Sequence, residues 1–286
     1  MHTLRGCGSI TPLTHAPRAR ISYFFPRYLV MPTSSSTNTA SLVERLFRVG
    51  AHYGFKKSRR HPSSVPFILG SKNGNDIFDL NRTAHAIAEA QAVLRTAGAQ
   101  GKTVLFVGTK DEVSKLLRDA AVRIDSPYVA NRWIGGMLTN FSEIKKRLNR
   151  LEELTRERES GELERKYTKR ERVMIGREMD KLSFNFSGMA TLQKLPDLMV
   201  VVDPRHDTIA VSEARELGIP IIGVMGSDCD ASAVTHPIVV NDALQASVSL
   251  VLGELTAALA DGRANAAPAA EPAPVRAPSR TATVRA

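Results

Sequence analysis

The sequence predicts a doubly wound α/β domain of three layers, α/β/α, with a mainly parallel sheet of about five strands. Near-continuous apolar runs at 103–107, 197–203 and 219–224 are typical of parallel strands that helices cover on both faces. Segments with helical spacing alternate with these runs, as in βαβ units. Two further helical stripes between 140 and 186 interrupt the alternation and predict an inserted helical hairpin. The expected architecture is therefore Rossmann-like or flavodoxin-like with one insertion.

Composition limits the class of protein. The chain has 286 residues, enough for one large domain or two small ones. No apolar run reaches the roughly 18 to 20 residues that a membrane span needs. The only cysteines, Cys7 and Cys229, are far apart, so neither a disulfide framework nor a cysteine-rich zinc site is indicated. A reducing, intracellular setting fits this composition best.

The net charge of +10 is concentrated near the two ends of the chain. Residues 1–30 carry +4 and the residues from Arg263 onward carry +3, which leaves +3 for everything between them. The middle of the chain is therefore not uniformly basic, and contact with nucleic acid would depend on local clusters. The clearest cluster consists of Lys56, Lys57, Arg59, Arg60 and His61.

Both ends are expected to lack a fixed fold. Residues 1–39 form a leader poor in acids, which indicates either an organellar transit peptide or an over-extended gene start with Met31 as the true initiator. We favour Met31, because a polar Pro-Thr-Ser leader follows it. Residues 263–286 are rich in Ala, Pro and Arg and have too little apolar content to fold. The folded domain is expected at 40–262.

The first half of this domain shows signals for three elements, namely a short helix, a strand and a longer helix. Ser41 is a candidate N-cap of a short helix that ends near Gly50. The segment from Ile77 to Leu80 is predicted to be a strand, and Asn81 to cap an alanine-rich helix that Gly98 ends. The apolar residues of the first helix recur at helical spacing and comprise Leu42, Val43, Leu46, Phe47 and Val49.

Three more helices complete the predicted α/β pattern. The segment 111–121 should be helical after the strand at 103–107, and 206–217 after the strand at 197–203. Asn241 is a candidate N-cap of a final helix that runs to about residue 260.

The insertion at about 140–186 is predicted to be an antiparallel coiled-coil hairpin. Its first helix should start at Thr139 or Asn140, and the turn should lie at Ser160-Gly161. Between Glu143 and Lys181 there are 13 cations and 10 acids, interleaved. This charge pattern has two interpretations, which can apply to different faces of the hairpin. One is a solvated arm stabilised by salt bridges, and the other is an arm whose basic face docks on RNA. The apolar stripes have coiled-coil spacings and comprise Ile144, Leu148, Leu151 and Leu154, then Ile175, Met179, Leu182 and Phe186.

The stretch 128–141 has the features of a loop that presents groups to a partner. It contains the only tryptophan, Trp133, beside Arg132, and two glycines that give the backbone latitude in φ. These features alone allow RNA binding, nucleotide binding or core packing. Trp133 is predicted to be a packing anchor, because apolar residues follow it closely. Arg132 cannot be buried without a partner and is the better candidate for an RNA contact.

Two patterns resemble nucleotide-binding loops, and neither has the complete phosphate-binding motif. Gly101-Lys102-Thr103 precedes a strand, and Thr96 stands where a phosphate-binding loop needs glycine. Gly108-Thr109-Lys110 follows a strand, as ligand loops do, but lacks the glycine spacing that surrounds a pyrophosphate. A Rossmann-like enzyme or sugar-phosphate binder that uses Gly108 to Lys110 and Asp203 remains the alternative function.

No catalytic or metal site is predicted. Several polar residues fall at the predicted loop ends, but they include no histidine pair one helical turn apart and no cysteine pair. The set comprises Asp203, Arg205, His206, Asp207, Asp228, Cys229, Asp230 and His236.

Four blocks of sequence, in order, resemble one protein family. They are VGAHYG at 49–54, VLFVGTK at 104–110, NRWIGGMLTNF at 131–141, and a segment from Pro196-Asp197-Leu198 to Pro220. Together they resemble the bacterial-type small ribosomal subunit protein two. The chain departs from the usual family pattern at Phe55, at 59–62, at Asp111-Glu112, at 226–230 and at His236. The family assigns no catalysis to the segment 203–205, so Asp203 is interpreted as a turn and capping residue.

The resemblance implies a structural constituent of the small ribosomal subunit that supports translation without catalysis and without a cofactor. It implies binding to small-subunit ribosomal RNA between head and body, beside neighbouring proteins that include ribosomal protein one. It implies neither a membrane nor a small-molecule substrate as partner. The expected location is the cytoplasmic ribosome, or an organellar ribosome if the leader is a transit peptide. The RNA-binding residues that it implies are Lys56, Lys57, Arg59, Arg60, His61, Lys110, Arg132, Asn140, Lys145 and Lys146.

Overall fold

The computed structural model describes residues 36–265, with side chains from residue 41 onward. Its strands form two sheets, a parallel sheet of five strands and an antiparallel sheet of three. Numbered along the chain, the strands of the parallel sheet lie side by side in the order 5, 4, 6, 7, 8. The strands are β1 (Tyr53–Lys56), β2 (Ile68–Lys72), β3 (Asn75–Phe78), β4 (Val104–Val107), β5 (Tyr128–Val129), β6 (Leu198–Val202), β7 (Ile221–Met225) and β8 (His236–Val239).

Helices cover both faces of the parallel sheet. Within β4 and β6, alternate residues point into two separate apolar clusters, because successive side chains of a strand point to opposite faces. One cluster joins the sheet to the helices that begin at Ser36, Leu80, Asp111 and Gln245. The other joins it to the helix Thr208–Glu216 and to the start of the helix Phe141–Glu159. The predicted three-layer α/β/α class is thus confirmed. The helices are α1 (Ser36–Arg48), α2 (Leu80–Ala99), α3 (Asp111–Arg123), α4 (Phe141–Glu159), α5 (Glu162–Lys166), α6 (Lys169–Phe186), α7 (Thr208–Glu216) and α8 (Gln245–Ala264).

Several predicted boundaries are wrong. Helix α1 begins at Ser36 rather than at Ser41, and Phe47 is 61% exposed instead of completing the apolar stripe. Asp79, not Asn81, is the N-cap of α2, and its carboxylate accepts a hydrogen bond from the Asn81 N–H at 3.0 Å. The predicted leader 1–39 lies outside the described residues except for the first turn of α1.

Gly98 lies inside α2 and does not end it. A Cβ on Gly98 would lie 2.7 Å from the carbonyl oxygen of Leu259, and one on Gly262 would lie 2.4 Å from that of Arg95. The two glycines therefore allow the backbones of α2 and α8 to approach closely. Helix α8 begins after Leu244, so Asn241 is not its N-cap, and it continues past the predicted end to Ala264. Residues 266–286 lie outside the described part of the chain.

The antiparallel sheet, in the order β1, β3, β2, was not predicted beyond one strand at 77–80. Strands β2 and β3 form a hairpin around Asn73-Gly74, which both have positive φ, 53° and 79°. Asn-Gly is the preferred pair for such a turn, so the sequence did contain the signal. Strands β5 and β8 were also missed. Strand β5 has two residues and β8 contains Pro237, which is tolerated because β8 is an edge strand.

The insertion contains three helices instead of two. Gly161, with φ of 73°, ends α4 at the predicted turn, but the short α5 lies between it and α6. Helix α6 begins with a reciprocal capping box between Thr168 and Glu171. A separate apolar cluster of Leu154, Leu163, Ile175 and Met179 packs these helices together. A coiled-coil supercoil in this insertion stays a prediction. Within residues 36–265, no helix is long and apolar enough to cross a membrane.

Candidate nucleic-acid interface

The basic segment, defined here as residues 53–61, is a short strand followed by a single 3-10 turn. Lys56, Lys57 and Arg59 are exposed, and within residues 36–265 none of them forms an ion pair. The guanidinium carbon of Arg59 lies 5.6 Å from the ring centre of Phe55, a cation–π contact that leaves its N–H groups open to solvent. Three cations of the segment are therefore presented outward.

Arg60, in contrast, points into the protein. Its guanidinium binds both carboxylate oxygens of Asp76 on β3, through Nε at 2.9 Å and through Nη2, and Nη2 also donates to Ser71 Oγ at 3.0 Å. Asp76 is completely buried. The hydrogen bond from Arg60 lowers the pKa of Asp76 below its ordinary value, so the pair is ionised at neutral pH. Arg60 thus anchors the basic segment to the antiparallel sheet.

The segment is also attached to the loop that follows β7. The N–H of Phe55 donates to Ser227 Oγ at 3.2 Å, and the N–H of His61 donates to the Ser227 carbonyl oxygen at 2.8 Å. The His61 ring lies 2.7 Å from Ser63 Oγ and 3.7 Å from Asp230. The His61 ring therefore makes contacts within the protein. The backbone that carries the exposed cations is attached both to the antiparallel sheet and to the loop after β7.

Lys110 lies at the carboxyl edge of the parallel sheet, as predicted. Its Nζ is 3.2 Å from Asp203 Oδ2 and 3.9 Å from Asp242 Oδ2, and its side chain is only 19% exposed. Burial lowers the pKa of Lys110, but the charges of Asp242 and Asp203 outweigh burial and leave the pKa above its ordinary value. Lys110 is therefore charged and already neutralised by carboxylates.

The sequence reasoning missed Asp242, which joins two residues of the set that it had rejected. Asp203, Cys229 and Asp242 follow β6, β7 and β8 and meet at the same edge, because parallel strands end there together. Burial, followed by the charge of Asp203, raises the pKa of Asp242 to about 7. Burial also raises the pKa of the Cys229 thiol. Chain spacing alone could not show this cluster, because its members come from three separate loops.

A second missed residue, Glu213 on α7, organises the signature loop, defined here as residues 131–141. Its Oε1 accepts from Trp133 Nε1 at 3.1 Å and from the Gly136 N–H at 2.8 Å. Its Oε2 accepts from the N–H groups of Leu138 and Thr139 at 3.0 and 3.1 Å, and from Thr139 Oγ1 at 3.2 Å. One carboxylate thus satisfies five donors from four residues of one loop.

The electrostatics of Glu213 follow from these donors. The residue is 7% exposed, and burial alone would raise its pKa. The backbone N–H groups and the indole outweigh burial and lower the pKa below its ordinary value, because all of them stabilise the carboxylate. Gly136 has φ of 88°, a conformation that favours glycine and that turns its N–H toward this carboxylate.

The signature loop separates its two most distinctive side chains. Trp133 is 7% exposed and packs in the apolar cluster that contains Met137 and Leu138. Arg132 is exposed, and in the described part of the chain its guanidinium has no hydrogen bond or ion pair. Asn131 fixes the start of the loop, because its side chain donates to the Phe184 carbonyl oxygen at 2.5 Å.

The remaining predicted contacts lie at the start of α4. Asn140 is the residue before the helix and is exposed, as expected for its N-cap position, although its side chain makes no capping bond. Lys145 and Lys146 are exposed. Lys145 Nζ lies 3.5 Å from the Gln193 carbonyl oxygen, and Lys146 Nζ lies 2.6 Å from Glu143. Within residues 36–265, no hydrogen bond or ion pair joins the basic segment to the signature loop.

Comparison with known proteins assigns the chain to a family. The family model described as Ribosomal protein S2 matches residues 46–262. The protein named small ribosomal subunit protein uS2 of Trichormus variabilis is 40% identical over 219 residues, which is 77% of this chain and 82% of that protein. The protein named small ribosomal subunit protein uS2c of Rhodomonas salina is 39% identical over 217 residues, 76% of this chain and 89% of that protein.

A third relative, small ribosomal subunit protein uS2c of Emiliania huxleyi, is 37% identical over 225 residues and is covered over 98% of its length. The match of the family model includes both the basic segment and the signature loop, so the likeness extends through the candidate surfaces as well as the core. With a family model matched over most of its length and relatives near 40% identity, the chain belongs to the Ribosomal protein S2 family.

Proposed function

We propose that this protein is a structural constituent of the small ribosomal subunit that binds small-subunit ribosomal RNA. Membership of the Ribosomal protein S2 family and the names of the relatives support the ribosomal role. This family is one of structural ribosomal components and not of enzymes, which confirms the prediction that the chain is not an enzyme. In keeping with the resemblance, we place the RNA contact between head and body, beside ribosomal protein one, in a cytoplasmic or organellar ribosome.

The observation that carries the RNA proposal is the display of Lys56, Lys57 and Arg59 on a fixed backbone. Arg60 and the Ser227 contacts hold the segment in place, so its backbone loses little conformational freedom when the cations bind. Phosphate groups are the partners that exposed, unpaired cations on a rigid support fit best. Arg132, on the signature loop, adds a second unpaired guanidinium, which can form bidentate hydrogen bonds with a phosphate group.

The other predicted contacts have different support. Lys145, Lys146 and Asn140 are exposed at the start of α4, where they can extend the surface next to Arg132. Lys110 is held by two carboxylates and His61 by Ser63, so we assign both a supporting place behind the surface. The same neutralisation of Lys110 argues against the alternative of a sugar-phosphate binder, because that alternative needs a free cation at the sheet edge.

The salt dependence of RNA binding tests this proposal. Neutralising Lys56, Lys57 and Arg59 to glutamine should weaken binding to small-subunit RNA and flatten the plot of log K against log salt. At roughly 0.7 to 0.9 per phosphate contact, the slope should change by about 2 to 3. The binding constants would be measured by filter binding over a range of KCl concentrations.

A matched control separates local contacts from general charge. The triple variant of Arg95, Lys115 and Arg123 to glutamine removes the same charge from exposed positions elsewhere on the domain. We expect a smaller loss of affinity and little change in slope. Equal slopes for the two triple variants would refute the assignment of the basic segment, and failure of the wild-type protein to co-sediment with small subunits would refute the function.

A further inference from the structure

A group of potential metal ligands lies at the carboxyl edge of the parallel sheet. Asp203, Cys229 and Asp242 each offer one ligand atom, and these atoms all lie within 4.8 Å of one another. Cys229 Sγ is 3.6 Å from Asp203 Oδ1. Since each residue follows a different neighbouring strand, the sheet itself fixes their relative positions.

Asp242 is the member of the cluster whose surroundings most favour binding of a cation. Its side chain is 1% exposed, and within residues 36–265 neither carboxylate oxygen has a hydrogen-bond partner. The nearest cation, Lys110 Nζ, is 3.9 Å away, which is beyond hydrogen-bonding distance. A buried carboxylate without hydrogen bonds is costly, so a group that binds its oxygens directly would relieve an unfavourable arrangement.

The charges around the cluster also favour a cation. Asp228 Oδ1 is 3.8 Å from Cys229 Sγ, and Asp228 is paired with Arg205 at 2.6 Å. Lys110 is paired with Asp203 at 3.2 Å. These two cations face three carboxylates, which leaves Asp242 without a full counter-charge.

Gly226 keeps the space between these carboxylates open. A Cβ at this position would lie 2.7 Å from Asp242 Oδ1 and 3.2 Å from Asp228 Oδ1. Any other residue would therefore press on the carboxylate oxygens and displace them. The glycine lets the carboxylates of Asp228, in the same loop, and of Asp242, which follows β8, lie close to the backbone of the loop after β7.

We propose that Asp203, Cys229 and Asp242 bind a zinc ion. A thiolate together with carboxylates suits Zn²⁺, whereas Mg²⁺ and Ca²⁺ prefer oxygen ligands alone. Zinc would bind the sulfur at about 2.3 Å and the oxygens at about 2.0 to 2.2 Å, with water or Asp228 in the fourth position. On binding, the Cys229 thiol releases its proton to solvent and forms the Zn–S bond, so no electrons are transferred.

Such an ion would also affect the candidate RNA surface. The loop after β7 contains Ser227, which holds the backbone of Phe55 and His61. A metal bound to Cys229 in the same loop would join the ends of β6, β7 and β8 and stiffen the support beneath the basic segment. The zinc site itself does not depend on the RNA-binding proposal.

Metal titration of the full-length chain tests the site. The protein would be stripped with EDTA, dialysed and titrated with ZnCl₂ by calorimetry, with bound zinc measured after gel filtration. In parallel, CoCl₂ would be added, because a cysteine thiolate bound to Co²⁺ gives a near-ultraviolet charge-transfer band. We expect one zinc ion per chain, a raised Tm, and the charge-transfer band in the wild-type protein.

Variants assign the ligands. Cys229→Ser should lose the cobalt band, and Asp242→Asn should weaken zinc binding by more than about tenfold. Cys7→Ser is the matched control, since it removes the other thiol and should keep both band and stoichiometry. Absence of zinc binding to the wild-type chain would overturn the proposal whatever the variants do, and so would a band that persists in Cys229→Ser or disappears in Cys7→Ser.

Discussion

Replacing Glu213 by glutamine should strongly destabilise the protein. The carboxylate accepts five hydrogen bonds, two on Oε1 and three on Oε2. Glutamine is nearly the same size, but one of its two terminal atoms is an NH₂ group, which donates and cannot accept. Whichever way the amide turns, at least two donors of the signature loop then face another donor.

The magnitude can be worked from this count. A buried donor that loses its partner costs about 1 to 3 kcal/mol, and hydrogen bonds to a charged acceptor lie toward the upper end of this range. With two or three donors unsatisfied, and some relief from water that enters the loop, we expect Glu213→Gln to lower the free energy of unfolding by about 3 to 5 kcal/mol. This is a large fraction of the about 5 to 15 kcal/mol typical of a domain.

Urea denaturation followed by circular dichroism at pH 7 would measure this difference. The control is Glu216→Gln, which removes the same charge from an exposed position on the same helix and should change the free energy of unfolding by no more than about 0.5 kcal/mol. A loss below about 1 kcal/mol for Glu213→Gln would refute the view that this carboxylate holds the loop.

The pH dependence of the same comparison has a definite sign. The pKa of Glu213 is lowered in the folded protein, so its contribution to stability is complete above the unfolded value of about 4.5 and is lost as pH falls through the folded value. The difference between wild type and Glu213→Gln should therefore be constant near neutral pH and shrink on acidification below about 4.5. A difference that grows on acidification would contradict this assignment.

Three further outcomes are expected. Trp133→Ala should cost about 3 to 5 kcal/mol of stability through the cavity it leaves, while Arg132→Ala keeps the Tm of the free protein and reduces incorporation into small subunits; reversed phenotypes would exclude this division of roles. Asp76→Asn should lower the free energy of unfolding, measured by urea denaturation, by about 3 to 5 kcal/mol, because it removes the buried carboxylate that pairs with Arg60. An unchanged free energy of unfolding would contradict the role of this ion pair. Gly98→Ala should lower the Tm because its Cβ meets the backbone of α8, whereas Gly253→Ala, with open space around it, should raise the Tm slightly; equal shifts would contradict the packing at Gly98.

The parallel sheet was predictable because its strands are buried on both faces. Strands β4, β6 and β7 each consist of buried apolar residues, so their hydrophobic runs are visible without knowledge of the tertiary structure. Strand β5 is too short to show a pattern, and β1 and β3 are partly exposed. Their pairing depends on contacts far apart in the chain, which local propensity does not encode.

The candidate site was predictable in its exposed residues and not in its buried ones. The exposure of Lys56, Lys57 and Arg132 agrees with what charge alone favours. In the sequence Arg60 cannot be distinguished from the neighbouring exposed cations. In the structure it forms an ion pair with Asp76, which lies in a hairpin that the sequence analysis did not predict. Glu213 and Asp242 carry no motif at all, because their importance arises from donors or acids that other loops bring to them.

The two candidate surfaces depend on residues that are synthesised much later than they are. The signature loop donates hydrogen bonds to Glu213, which lies 80 positions after Trp133 in the chain. The basic segment is held by Ser227, which lies 172 positions after Phe55. As the chain leaves a ribosome, its early cations emerge before either support exists. Both surfaces reach their final arrangement only after Glu213 and Ser227 have been synthesised. A product that ends before Ser227 would carry the same charges without the geometry, so the arrangement of both candidate surfaces requires synthesis past that residue.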